Sequence, residues 1–154
     1  MSAPPMDDTQ VRVVLADNNA ELLRAVSEVL AAAGMTVVAS AATGDEAVAA
    51  VGTHDPDVIV LDVLMPGGGA ELVRQVAARS PRVRMMALTA SDDEETALEM
   101  LAAGVTGFVS KAVLDEDLAT CVRRCAEGML FVVAGCADRV RERLAQLWLA
   151  GREA

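Results

Sequence analysis

Five times along the chain, a short apolar run is followed by a segment whose apolar residues recur at helical spacing. This alternation constrains the fold more than any other feature. The predicted strands are residues 11–16, 35–40, 57–61, 83–88 and 105–110. The first helix ends near Gly34 and carries its apolar residues on one side: Leu22, Leu23, Val26, Val29 and Leu30. The later helices are predicted over residues 45–52, 70–79, 92–103 and 114–127.

Continuously apolar strands that alternate with amphipathic helices are typical of a parallel sheet covered on both faces. Each right-handed crossover lays its helix on one face of the sheet. The sequence therefore predicts an α/β fold with a doubly wound, five-stranded parallel sheet and helices on both faces. Because ligands bind such sheets beyond the carboxyl ends of the strands, candidate functional residues are sought there first.

Length and charge narrow the classes of function. The 154 residues fit one domain with a short appendage, and the formal net charge of −10 repels phosphate backbones and anionic lipids. We therefore expect no direct nucleic-acid binding by this segment and no membrane contact. No apolar stretch approaches the roughly 20 residues that cross a bilayer, and residues 1–9 do not resemble a secretory signal. These features predict a cytoplasmic protein.

The three cysteines are Cys121, Cys125 and Cys136. An odd number of cysteines in a chain without an export signal favours reduced thiols over a disulfide framework. Cys121 and Cys125 are four residues apart on one predicted helix face. The other soft metal ligand, His54, belongs to a distant loop, which argues against a zinc site.

Polar residues stand at four strand ends where strand packing does not require them: Asp17, Asp62, Thr89 and Lys111. We expect these four side chains to converge at one edge of the sheet. Two carboxylates and a neighbouring backbone carbonyl make an oxygen site suited to Mg²⁺. The hydroxyl and the ammonium can hold phosphoryl oxygens, and Asp62 would be the nucleophile that forms an acyl phosphate.

Three segments resemble the signature segments of response-regulator receiver domains: residues 57–67 (DVIVLDVLMPG), 88–90 (LTA) and 107–111 (GFVSK). The resemblance covers roughly residues 11–128 and implies the flavodoxin-like strand order 2-1-3-4-5. It also implies that Asp62 accepts a phosphoryl group from a sensor histidine kinase, that Lys111 pairs with the phosphate and that Thr89 shifts inward to bond it. Phe108 would be the aromatic ring that changes rotamer together with Thr89.

One position departs from the receiver pattern. Receivers usually carry two adjacent acidic residues after the first strand, and this chain has Asp17 followed by Asn18. The implied Mg²⁺ ligands are Asp17, Asn18, Asp62 and the backbone carbonyl of Leu64. Because an amide oxygen replaces one carboxylate, we expect weaker Mg²⁺ binding and slower phosphorylation.

Simpler structural explanations exist for several of these residues. Asp17 and Asn18 could merely cap the first helix, with Glu21 as the return arm of a capping box, and residues 91–94 (SDDE) read as a second capping box. Thr89 and Phe108 could each serve packing alone, and Lys111 could be a solvated residue at a strand end. Only the four strand ends taken together favour the functional interpretation.

The sequence after Gly128 extends beyond the receiver pattern. Residues 129–133 (MLFVV) are a short apolar segment, and residues 136–150 are predicted to form a helix with Val140, Leu144, Leu147 and Trp148 on one side. We expect a disordered head over residues 1–10, a receiver domain over 11–128 and, over 129–154, a linker segment with a C-terminal amphipathic helix. Arg139, Arg141 and Arg143 are expected to form the solvated side of this helix.

The complete sequence resembles the NarL/FixJ (LuxR-type) subfamily without its helix-turn-helix output domain. The resemblance implies a transcription regulator or a stand-alone receiver that switches by phosphorylation and forms a homodimer, with DNA contacted only through an output domain. An atypical receiver that works as a protein-interaction module without phosphorylation is the alternative that Asn18 suggests. A haloacid dehalogenase-like phosphatase with Asp17 as nucleophile fits less well, because Asn19 stands where that group needs an aspartate. We therefore predict a regulatory protein rather than an enzyme.

Overall fold

The computed structural model describes residues 11–111 and 117–153 of the chain, with side chains described as far as Gly151. The predicted head over residues 1–10 and the predicted start of the fifth helix lie outside the described residues. The strands are β1 Arg12–Ala16, β2 Thr36–Ala41, β3 Val58–Leu61, β4 Arg84–Thr89, β5 Gly107–Ser110 and β6 Phe131–Val133. The helices are α1 Ala20–Ala32, α2 Gly44–His54, α3 Ala70–Arg79, α4 Glu94–Ala103, α5 Leu118–Ala126 and α6 Ala137–Glu153.

The strands form one parallel sheet in the order β2-β1-β3-β4-β5-β6. This confirms the predicted doubly wound sheet and the order 2-1-3-4-5, but the predicted number of five strands is wrong. The apolar segment after Gly128 continues the sheet as β6, beside β5. Gly107 makes room for it, because a Cβ atom there would overlap the ring of Phe131. A three-residue run without alternation has no strand signal strong enough to be recognised in sequence.

Two hydrophobic cores lie on opposite faces of the sheet. One core contains apolar residues of α1 and α5, among them Val26, Leu30 and Val122. The other contains residues of α2, α3, α4 and α6, among them Val73 and Met100. The alternating direction of side chains along each strand divides the strand residues between the two cores. The predicted apolar side of α1 is confirmed except for Val29, which is exposed.

The structure excludes the alternative interpretation of Asn18 as a helix cap, and the predicted cap of α4 is wrong by two residues. Asn19, not Asn18, caps α1, since its Oδ1 accepts hydrogen bonds from the backbone N–H groups of Glu21 (3.1 Å) and Leu22 (3.2 Å). Asp93, not Ser91, caps α4 through the N–H of Thr96. Each helix begins one residue after its cap, so the position of the first turn decides which of several suitable residues takes that role.

The first half of α6 contributes buried residues to the core, whereas its second half is exposed. Cys136, which precedes the helix, and Val140 are fully buried in the core that also contains α4. Leu144 is partly buried there, whereas Leu147 and Trp148 are 57% and 62% exposed. The predicted single apolar side of this helix is thus covered only near its start. Along the described residues, no helix has the length and apolar character to cross a membrane.

Candidate functional site

The register of the parallel strands brings the four predicted strand ends to one edge of the sheet. Ala16 of β1 pairs with Leu61 of β3, so the following residues, Asp17 and Asp62, are neighbours beyond the strands. The Asp62 N–H donates to the Ala16 carbonyl at 2.9 Å and continues this ladder by one residue. On the other side of β4, the Lys111 N–H donates to the Thr89 carbonyl at 2.8 Å.

Lys111 joins the two carboxylates. Its Nζ lies 3.0 Å from Asp17 Oδ2 and 3.8 Å from Asp62 Oδ2. Asp17 and Asp62 are only 6% and 7% exposed, and Lys111 is the only lysine in the chain. Two buried carboxylates side by side repel each other, and the ammonium between them offsets this repulsion. The site is therefore a compact charged cluster with a net negative charge.

Local turns fix the orientation of both carboxylates. Asp17 Oδ1 accepts the Asn19 N–H at 2.9 Å, and Asp62 Oδ1 accepts the Leu64 N–H at 3.1 Å. In each aspartate, Oδ1 is therefore fixed by a hydrogen bond from the backbone N–H two residues later, and Oδ2 faces Lys111. Among the residues that the structure describes, Asp62 Oδ2 contacts the Lys111 ammonium at the longer distance of 3.8 Å.

Thr89 and Phe108, on the neighbouring strands β4 and β5, are both fully buried. Thr89 Oγ1 accepts the Ser91 N–H at 3.3 Å, so the hydroxyl is engaged by the loop that follows β4. Phe108 belongs to the α4 side of the sheet, in the same core as Val140 of α6. Sequence reasoning placed Thr89 at the site, and the structure brings its strand end next to Lys111.

A family model for the response regulator receiver domain matches residues 13–123. The chain belongs to the response regulator receiver family. This confirms the resemblance drawn from the signature segments and the regulatory class of the protein, a receiver of two-component signal transduction.

Relatives and solved structures of NarL type extend this result. The receiver is 36% identical over 125 residues to the oxygen regulatory protein NreC of Staphylococcus epidermidis. The matched region covers 79% of this chain and 57% of NreC. It also matches the receiver domain of the putative response regulator NarL of Mycobacterium tuberculosis at 30% identity and a TM-score of 0.73, over 77% of this chain and 98% of that one. A LuxR-family response regulator from Aurantimonas sp. has the same fold, with 24% identity and a TM-score of 0.80 over 88% and 99% of the two chains. The receiver thus spans little more than half the length of NreC.

Receiver domains bind Mg²⁺ at the phosphorylation site, and the residues of this receiver fit such an ion in part. Asp17 and Asp62 supply two adjacent buried carboxylates, the oxygen ligands that Mg²⁺ prefers. Asn18 is exposed, and within residues 11–111 and 117–153 no cluster of three acidic, histidine or cysteine side chains could hold a metal. Asn18 stands where the receiver pattern has a second acidic residue.

The cysteines of this receiver do not share a site. Cys121 and Cys125 lie in the core on the α5 side of the sheet, and Cys136 lies in the core on the opposite side. One metal ion cannot contact side chains on both faces of a continuous sheet. Burial raises the pKa of the Cys125 thiol from 9.0 to about 11. The hydrogen bond with Thr106 and the positive charge of Arg84 lower this pKa, but their effects are smaller than that of burial. This thiol is therefore neutral and unreactive at neutral pH.

Sequence reasoning missed a contact that involves Asp92, three residues after Thr89, and the backbone beside Gly135. Asp92 Oδ1 accepts the Cys136 N–H at 3.3 Å, and Gly135 has no Cβ because that atom would overlap the Asp92 carboxylate. Asp92 had been assigned to a capping box of α4. The available signal was weak: a glycine before the cysteine that begins the last helix.

Proposed function

We propose that this receiver accepts a phosphoryl group on Asp62 from a sensor histidine kinase and passes the signal on by changing its conformation. The geometry around Asp62 Oδ2 carries the proposal. This buried carboxylate oxygen has no bond to the backbone turn, lies 3.8 Å from the Lys111 ammonium and is flanked by Asp17. A structural role alone does not account for a charged residue in such a position.

In the proposed reaction, Asp62 Oδ2 attacks the phosphorus of a phosphohistidine in line with the P–N bond. The P–O bond forms as the P–N bond breaks, and the imidazole takes the electron pair and a proton. The product is an acyl phosphate on Asp62. Lys111 would then pair with a phosphoryl oxygen, and the Thr89 hydroxyl would donate to another, which places one charge and one dipole where negative charge develops.

Mg²⁺ would be held by Asp17, Asp62, the Leu64 carbonyl and the amide oxygen of Asn18. When bound, the ion offsets the negative charge of the carboxylates and the incoming phosphoryl group. Because Asn18 brings no charge, we propose that this receiver binds Mg²⁺ more weakly than receivers with two adjacent acids.

The partners of the receiver are part of the same proposal. We propose that it works in the cytoplasm with a sensor kinase and forms a homodimer when phosphorylated, with Phe108 coupled to Thr89. Regulation of transcription would require a DNA-binding segment in addition to these 154 residues. Residues 11–128 would form the receiver proper, and residues 129–154 would connect it to its output.

Intact-protein mass spectrometry after incubation with acetyl phosphate and Mg²⁺ tests the proposal. We expect one phosphate-sized adduct on the wild type and none on Asp62→Asn. Asp57→Asn is the matched control, since it changes an aspartate that bonds the Arg12 N–H at the opposite end of β3 and should leave the adduct in place. An adduct that persists in Asp62→Asn would refute the assignment.

Asn18 favours one second candidate, a protein-interaction module that signals without phosphorylation. Wild-type protein without an adduct, together with an adduct on Asn18→Asp, would establish this alternative. The same result would show that the fold and the remaining site residues are still competent.

A further inference from the structure

The start of α6 is tied to the loop that begins at Thr89. Asp92, three residues after Thr89, accepts the Cys136 N–H through Oδ1 at 3.3 Å. Three residues after Cys136, Arg139 Nε of α6 lies 3.2 Å from Oε1 of Glu94, the first residue of α4. Asp92 also places a negative charge at the amino end of α6, which the helix dipole favours. We call these two contacts the α6 latch.

The lack of a side chain at Gly135 leaves space for the Asp92 carboxylate in the latch. A Cβ atom at this position would collide with the Asp92 carboxylate, so a larger residue would push the aspartate away from the backbone before α6. The glycine has no left-handed backbone conformation that would explain it otherwise. Its residue type is therefore explained by contact with Asp92.

The attachment of α6 beyond the latch is small. Cys136 and Val140 are its fully buried residues, and from Ala145 to Gly151 every described residue of the helix is exposed. A helix held through its first two turns opens at a lower free energy than the elements at the centre of the sheet. Loss of the latch would therefore change the position of α6 without unfolding the receiver.

The latch and the phosphorylation site share one segment of chain. Thr89 Oγ1 accepts the Ser91 N–H at 3.3 Å, and a Thr89 hydroxyl turned toward a phosphoryl group on Asp62 would give up that bond. Residues 90–93 would then be free to move, and they carry Asp92. Phe108, which pairs with Val132 of β6, lies in the same core as Cys136 and Val140, so movement of its ring would disturb the inner side of α6.

We propose that α6 is a phosphorylation-controlled latch: Asp92 and Glu94 hold it closed in this structure, and phosphorylation of Asp62 releases it. The inference rests on the proposed function, because the phosphoryl group supplies the force that withdraws Thr89 from Ser91. Release exposes the inner side of α6 around Val140 and frees the helix as the output element. The output of this receiver is then read at α6.

Cys136 reports the state of the latch. It is fully buried at the start of α6, while Cys121 and Cys125 are fully buried on the opposite face of the sheet and serve as internal controls. The wild type is treated with acetyl phosphate and Mg²⁺, exposed briefly to N-ethylmaleimide and quenched in acid. Intact mass then reads the phosphate and maleimide adducts on the same molecules, and peptide mapping assigns the labelled cysteine.

We expect phosphorylated molecules to be labelled at Cys136 about tenfold faster than unphosphorylated ones, the effect of losing one charge-assisted hydrogen bond and one surface ion pair. Equal or slower labelling of the phosphorylated molecules would overturn the latch and leave phosphorylation of Asp62 intact. Labelling of Cys121 and Cys125 in parallel would indicate general unfolding and would also overturn it. Absence of any phosphate adduct would overturn the proposed function and, with it, this coupling.

Variants test the latch without phosphate. Gly135→Ala pushes the Asp92 carboxylate away without removing a hydrogen-bonding group, and Arg139→Gln breaks the ion pair with Glu94. Both should speed Cys136 labelling in the unphosphorylated protein. Arg141→Gln is the matched control, because Arg141 pairs with Asp138 of its own helix and should leave the rate unchanged. Wild-type labelling rates in both latch variants would refute the assigned contacts.

Discussion

Replacement of Asn18 by aspartate restores the acid that the receiver pattern places there, and its effect on Mg²⁺ binding can be worked from the structure. Asn18 is exposed, so a carboxylate at this position would act on a bound cation through water-like surroundings. Two unit charges about 4 Å apart attract by about 1 kcal/mol in bulk water, and a divalent cation doubles this to about 2 kcal/mol. Salt screening reduces the gain, and we expect the Mg²⁺ affinity to rise roughly tenfold.

Calorimetric titration of Mg²⁺ into wild type and Asn18→Asp measures this change, and Asn19→Asp separates ligation from charge. Asn19 is the next residue, but its side-chain oxygen caps α1 through the N–H groups of Glu21 and Leu22. An aspartate keeps that cap and adds the same charge away from the metal ligands. We expect Asn19→Asp to change the affinity by no more than roughly twofold.

Two results would refute the reasoning. Equal Mg²⁺ affinity of Asn18→Asp and wild type would mean that position 18 does not face the ion. An equal gain in Asn18→Asp and Asn19→Asp would mean that added charge acts at long range and that the exposed side chain at position 18 is not a ligand. In either case, the weak Mg²⁺ binding proposed for this receiver would lose its physical basis.

Three further predictions concern stability, each measured by denaturant unfolding. Val140→Ala should lower the free energy of unfolding by about 1–3 kcal/mol because it leaves a cavity under α6, whereas Leu147→Ala, on the exposed half of the helix, should change it by less than about 0.5 kcal/mol. Gly44→Ala should cost about 1–3 kcal/mol, since its Cβ would overlap a backbone carbonyl of the β3–α3 loop, while Gly52→Ala in open space on the same helix should stabilise by roughly 0.5–1 kcal/mol. The raised pKa of the Cys125 thiol favours the folded state below pH 9 and loses this effect as the pH rises toward 11, so stability should fall over that interval and fall less steeply in Cys125→Ala. A flat profile in the wild type would contradict the burial of this thiol.

The strand ends were predictable because each polar residue interrupts an apolar run at a place where packing gives it no purpose. Asp62, which follows four buried strand residues, is the clearest case. The parallel register of β1 and β3 then explains why Asp17 lies beside it. The same logic could not place the Lys111 ammonium nearer to Asp17 than to Asp62. That difference depends on side-chain rotamers, which the sequence pattern does not encode.

Features that depend on contacts between distant residues were beyond the sequence. β6 has three residues and is defined by its partner β5, so no local periodicity identifies it. Asn18 and Asn19 are equally good cap residues, and only the start of α1 at Ala20 decides between them. The pairing of Asp92 with the backbone beside Gly135 joins residues more than 40 positions apart. Composition and spacing carry no record of such a contact.

The identity of Lys111 explains how one cation can serve both states of the proposed switch. Apart from His54, every other basic side chain in this receiver is an arginine. An arginine at position 111 would bridge Asp17 and Asp62 with its rigid planar guanidinium and fix both carboxylates. The lysine is a compact charge on a flexible stem, and here it pairs closely with Asp17 while leaving Asp62 Oδ2 at 3.8 Å. A small movement of that stem would carry the ammonium to a phosphoryl oxygen on Asp62, and the new ion pair would replace the 3.0 Å salt bridge with Asp17. A lysine at this position therefore favours exchange of the ammonium between Asp17 and a phosphoryl group on Asp62 over a rigid salt bridge with either residue.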